Sequence, residues 1–211
     1  MSKLVWGLLE ERFFETGVDR GVLYVGDEIG VPWNGLVSVK ESPTGGDPQP
    51  FYLDGVKYLN LSESEEFEAS IQAFGYPASF AQCLGDLPIH NGLFITQQPK
   101  KTFNFTYRSR LGNAILGADY SYKIHMVWNA LAGPADKENN TIADSPNPFV
   151  FNWPVSTLAP LTPGYHPSAH MVVDASLTPS DILEELENLL YGSDEGDAHF
   201  PTQSELIELF S

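Results

Sequence analysis

Phe67-Glu-Ala-Ser-Ile-Gln-Ala-Phe74 places Phe67, Ala69, Ile71 and Ala73 on one face of a strand and Glu68, Ser70 and Gln72 on the other, because successive side chains alternate across a pleat. A second run does the same: Phe103, Phe105 and Tyr107 alternate with Asn104, Thr106 and Arg108. Each run has one apolar and one hydrated face, the pattern of an antiparallel sheet with one wet side. That wet side is either plain solvent surface or the wall of a channel, and the choice decides the function.

Outward from these two runs, the chain reads as short strands between breakers. Gly21 to Val25 and Leu36 to Val39 read as strands, and Ser42 to Pro50 as a polar loop. Tyr52 to Leu61 returns as a strand, with Asp54-Gly55 a turn or bulge. Tyr76-Pro77 breaks the ladder, and Ala78 to Leu84 reads as a short helix with Phe80, Cys83 and Leu84 packed inward. Tyr120 to Leu131, Phe149 to Leu158 and Ala169 to Ala175 are further strands. One longer helix follows near 179–191, with Thr178 as N-cap and Gly192 as its stop. Its apolar stripe is Ile182, Leu183, Leu186, Leu189 and Leu190. Residues 1–17 read as an N-terminal helix or arm, 18–192 as the β domain, and 193–211 as an acidic flexible linker with a C-terminal docking arm.

With 211 residues and 42% hydrophobic content, the chain can bury a core. The formal charge of −17 argues against an electropositive groove for nucleic acid. It is compatible with nucleic acid passing without sticking, and also with simple solubility. A single cysteine, Cys83, allows neither an intrachain disulfide nor a cysteine zinc cluster. The opening residues carry no signal-peptide pattern, and no apolar run approaches membrane-spanning length. Folding in a reducing cytoplasm, without a membrane, is the expectation.

Nothing nominates a catalytic residue. His166 and His170 have the i, i+4 spacing of a helical metal pair, but Pro167 argues against a helix there. His125, in an alternating strand, reads as a surface or internally satisfied histidine. Phosphate-binding, dinucleotide and nucleophile-elbow motifs are missing from the sequence. A glycosidase needs two carboxylates at a set separation, which sequence does not show. The expectation is no enzyme, no metal and no cofactor.

Several strings are similar to those of the major tail proteins of long, non-contractile-tailed bacteriophages. They are Glu11-Arg-Phe-Phe-Glu-Thr-Gly-Val-Asp-Arg-Gly-Val-Leu-Tyr24, Pro32-Trp-Asn-Gly-Leu36, Lys57-Tyr-Leu-Asn-Leu61, Glu65-Glu-Phe-Glu-Ala69 and Tyr107-Arg-Ser-Arg-Leu-Gly-Asn113. Tyr122-Lys-Ile-His125, Asp144-Ser-Pro146, Leu189-Leu-Tyr-Gly192 and Ser204-Glu-Leu-Ile-Glu-Leu-Phe210 continue the series. No single string is diagnostic; their common order along the chain carries the resemblance.

The resemblance implies a mainly β fold with one or two helices, an antiparallel β-sandwich or barrel of the tail tube type. It implies a structural virion protein that forms stacked hexameric rings, a hollow tube that conducts DNA during ejection. Its partners would be copies of itself, the tape measure protein in the lumen, and double-stranded DNA passing without specific binding. Tail terminator and baseplate proteins would meet the tube ends. The protein would be made in the host cytoplasm and reside in the phage tail. On that footing Glu68, Ser70, Gln72, Asn104, Thr106 and Arg108 are candidates to face the lumen, with Arg108 paired to Glu68. Trp6, Phe13, Phe14, Thr44, Asp47, Leu206, Ile207, Leu209 and Phe210 are candidates for contacts between subunits. A tail-terminator or baseplate ring protein is the neighbouring alternative. A carbohydrate-binding β-sandwich module is a more distant one.

Overall fold

The computed structural model describes residues 6–9, 12–62, 64–141, 148–194 and 196–211. Asp144-Ser-Pro146, within the expected polar loop, and residues 1–5, 10 and 11 of the expected N-terminal arm lie outside the described residues. The strands, in chain order, are β1 (Phe13–Tyr24), β2 (Val31–Pro32), β3 (Leu36–Glu41), β4 (Thr44–Gly45), β5 (Gln49–Leu53), β6 (Val56–Leu61) and β7 (Glu65–Glu66). They continue with β8 (Glu68–Ala73), β9 (Leu87–His90), β10 (Leu93–Ile95), β11 (Phe103–Asn113), β12 (Gly117–Ala132), β13 (Phe151–Thr157) and β14 (His170–Asp174). A 3₁₀ turn, Ala78–Phe80, runs into α1 (Ala81–Leu84); α2 (Ser180–Tyr191) and α3 (Gln203–Leu209) follow the last strand. Among the described residues the protein is mainly antiparallel β with three short helices.

Eight strands form one antiparallel sheet in the order β2-β1-β11-β12-β13-β8-β3, with β14 also paired to β12. The sheet curls until its ends meet. Leu36 of β3 packs so closely over Gly21 of β1 that a Cβ there would lie 2.9 Å from the leucine Cδ2. The result is an incomplete barrel. β12 makes the curl possible: residues 123–127 pair with β14 and residues 130–132 with β13. Asn129 sits at the break with φ +49°. Its amide nitrogen donates to Asn104 Oδ1 and its side chain to the Leu158 carbonyl, which holds a conformation that non-glycine residues seldom adopt.

The inward sheet face encloses an aromatic core. Trp33 lies 4.6 Å from Phe80, 5.5 Å from Phe105 and 5.9 Å from Trp153, centroid to centroid. Its indole N–H donates to the Gly75 carbonyl at 2.9 Å, so the one polar atom of the ring is satisfied where it is buried. Leu23, Ile71, Ala73, Cys83 and Phe103 belong to the same cluster. Phe80 thus reaches the core from the short helix as the sequence reading expects.

A second core lies on the outward face. Ile124, Met126 and Val173 from the sheet pack against Leu186 and Leu190 of α2 and Leu206 of α3. Two long-range bonds fasten the helices: Tyr24 Oη donates to the Leu190 carbonyl at 2.5 Å, and Trp128 Nε1 to the Pro201 carbonyl at 3.0 Å.

Several expectations are corrected. Phe13 and Phe14 belong to strand β1 rather than to a helix or arm, because the strand extends along β11 from Phe13↔Asn113 onward. Thr178 does not cap α2: Pro179 is the N-cap residue, and Thr178 Oγ1 bonds the Asp174 carbonyl. The acidic segment after Gly192 is tied down, with His199 N bonded to Leu189 O and Gly30 N to Ala198 O. The C-terminal arm is α3, which docks on the same chain. Thr202 and Glu205 form a capping box at its start, satisfying amides that a free end would leave to water.

Candidate functional site

Among the described residues, no helix covers the outward face of the β13-β8-β3 half. Register places Gln72 beside Ser38 and Asn152, Ser70 beside Lys40 and Pro154, and Glu68 beside Ser156. Ser38 Oγ donates to Gln72 Oε1 at 3.1 Å. This is the hydrated face read from residues 67–74, and it is polar without being strongly acidic. Lys40 and Glu68 are its charged strand residues among those just named.

The second predicted wet face is different. Asn104, Thr106 and Arg108 of β11 lie on the half covered by α2. Thr106 is fully buried, so it cannot face a lumen. Arg108 does not pair with Glu68. Its Nε and Nη2 bond the two oxygens of Asp19 at 2.7 and 3.0 Å, and its guanidinium lies 4.3 Å from the Tyr122 ring centroid. Asn104 is half-buried and engaged with the Asn129 amide. Alternation alone does not separate a face in water from a face of polar residues roofed by a helix.

Residues 44–66 form a projecting arm. β4 pairs with β7 at its base and β5 with β6 at its tip. Asp54 and Gly55 turn the chain with φ of +50° and +75°, the left-handed pair of a tight two-residue hairpin. Phe51, Tyr52, Leu53, Val56, Tyr58 and Leu61 are each 50–71% exposed. Consecutive apolar residues lie on opposite faces of a strand, so neither face of this ribbon is covered. Thr44 and Asp47, both exposed, sit near its base.

A second hairpin, β9–β10, carries exposed Leu87, Ile89, Leu93 and Phe94. Sequence reasoning missed it, although Asn91-Gly92 between apolar runs is a strong hairpin signal. Of the other predicted contact residues, Trp6, Phe13, Phe14 and Phe210 are exposed. Ile207 and Leu209 are half-buried. Leu206 is buried within the chain, so it cannot serve as a contact residue.

At one end of the barrel interior, β3, β12 and β14 bring together Glu41, His125 and His170. His125 Nδ1 is 3.3 Å from Glu41 Oε1 and 3.2 Å from His170 Nε2. Its Nε2 is 2.9 Å from Ser109 Oγ, and Tyr107 Oη donates to Glu41 Oε1 at 2.5 Å. Burial pushes both imidazoles below their ordinary value, His170 to about 4. His166 is exposed and takes no part in this group. The three residues are 84 and 45 positions apart, so no spacing motif could have found them.

No protein-family model matches the chain, and no curated protein does. Among solved structures it is similar to a chain of the anti-feeding prophage baseplate, at 11% identity and TM-score 0.43, covering 84% of this chain and 100% of that one. It is also similar to a chain of the anti-feeding prophage tube-terminating cap, at 15% and 0.37, covering 83% and 97%. A third is a chain of the sheath/tube terminator of an extracellular contractile injection system, at 17% and 0.34, covering 81% and 99%. Likeness this distant assigns this chain no role.

Proposed function

We propose that this chain is a structural subunit of a bacteriophage tail, and specifically a tail tube protein that polymerises with copies of itself. The observation that carries the reading is the 44–66 arm, an apolar ribbon uncovered on both faces. A two-stranded hairpin is marginal alone in water, and apolar residues gathered in this way mark a surface completed by another molecule. The resemblance of the ordered strings to those of major tail proteins favours a second copy of the chain as the occupant.

In this reading, subunits join as six-fold rings and the arm reaches from one ring to the next. The polar β13-β8-β3 face, with Glu68, Ser70 and Gln72, lines the bore. A near-neutral polar wall offers phosphates no cluster of Lys and Arg to displace counterions, so DNA slides past without adhering. The tape measure protein occupies the same channel during assembly. The role is mechanical and needs no catalytic residue or cofactor.

Size-exclusion chromatography of the purified chain followed by negative-stain imaging tests the reading. Hollow rods are the expected result. Isolated rings would instead indicate a terminator or baseplate ring protein, and strictly monomeric particles at high concentration would sink the self-assembly reading.

A further inference from the structure

We infer that Glu41, His125 and His170 form a binding site for one divalent transition-metal ion of the zinc class, fastening edge strand β3 to β12 and β14. The inference is independent of the assembly reading.

The donor atoms are the right ones at the right spacing. Two imidazole nitrogens and a carboxylate oxygen are ordinary zinc donors, at bond lengths of about 2.0–2.2 Å. Ligands of a tetrahedral ion at that distance stand about 3.3–3.5 Å apart by simple geometry. Here the Nδ1 to Oε1 and Nδ1 to Nε2 separations are 3.3 and 3.2 Å. All three donor atoms lie within 4.8 Å of one another.

Outer partners are also in place. Ser109 Oγ can accept the Nε2 proton of His125, which leaves Nδ1 free to ligate. Tyr107 holds the Glu41 carboxylate through its hydroxyl. Such contacts fix the tautomer and orientation of metal ligands. Without a cation the contacts at His125 Nδ1 depend on a proton carried by either imidazole; a cation serves all three groups at once. Glu41 is exposed, which supplies an entry path and room for water as a fourth ligand.

The placement gives the ion a mechanical job. β3 ends the sheet order and β14 lies off its main path. An ion bound to both would cross-link the curled sheet at the end where β3 has no further strand to pair with.

The full chain, stripped with EDTA, is titrated with Co(II) followed by visible absorption, and with Zn(II) followed by calorimetry and thermal melting. Expected are one ion per chain, the visible bands of tetrahedral cobalt, and a midpoint raised by zinc and restored by EDTA. Glu41→Gln and His170→Asn should each weaken binding by at least ~10-fold, Tyr107→Phe by roughly 10-fold, and exposed His166→Asn should leave it unchanged. No saturable binding by the wild-type chain overturns the inference, even if a variant fails to fold. So does undiminished binding by a folded Glu41→Gln/His170→Asn double variant, which would place the ion elsewhere.

Discussion

Arg108 grips Asp19 with a two-pronged bond across the β1–β11 ladder, Nε to Oδ1 and Nη2 to Oδ2, with the two residues directly opposite in register. Arg110 adds a third contact to the same carboxylate at 3.0 Å. β1 is irregular beside this point, with Arg20 at φ +47° and a register shift between Asp19 and Val22. The pair therefore holds a stretch where regular ladder bonds are interrupted.

The hydrogen bond from Arg108, ahead of that from Arg110, holds the Asp19 carboxyl below its ordinary value of 3.8. The native state thus binds fewer protons than the unfolded chain in acid. The stability gained is fully present above the ordinary aspartate value and is lost as pH falls through the lower folded one. Asp19→Asn should cost about 1.5–3 kcal/mol at neutral pH and flatten the acid limb of a urea-midpoint profile. An acid limb as steep as that of the wild type would count against this account.

Tyr58→Asp together with Val56→Asp, on the exposed arm, should leave stability within about 0.5 kcal/mol of wild type, as surface changes usually do. The same pair should abolish polymers in negative stain. Melting curves and images of one preparation check both halves. Wild-type rods from the double variant would remove the arm from the interface.

Leu206 is buried between α3 and the outward sheet face. Leu206→Ala should cost about 2–5 kcal/mol, and faster amide exchange should follow along residues 203–209. Phe210→Ala, at an exposed site, should cost far less. Equal costs would mean that α3 is not seated as described.

Phe80 is fully enclosed, with Trp33, Phe103 and Trp153 within 5.3 Å between centroids. Phe80→Ala should lower stability by about 3–5 kcal/mol. Chemical denaturation measures it, and a loss under 1 kcal/mol would show that the core collapses around the gap.

The strands were legible wherever one face was apolar without interruption, as at Phe67–Ala73 and Phe103–Tyr107. Burial of Thr106 was not, since a helix more than seventy positions later supplies its cover. Turn chemistry gave Asp54-Gly55 correctly, and Asn91-Gly92 carried the same signal unread. Phe13 and Phe14 looked like an arm because Gly17 reads as a stop; in the fold the ladder passes through Gly17 by a register shift between Thr16 and Val18. The Glu41–His125–His170 group was invisible, because sheet order alone brings those three positions together.

Asn129 allows β12 to serve two neighbours on one flank, so the helix-capped half and the bare half are parts of one unbroken ribbon. They cannot slide past each other like separate plates. A push on either half would travel along β12 itself, and the chain would meet load as a single piece.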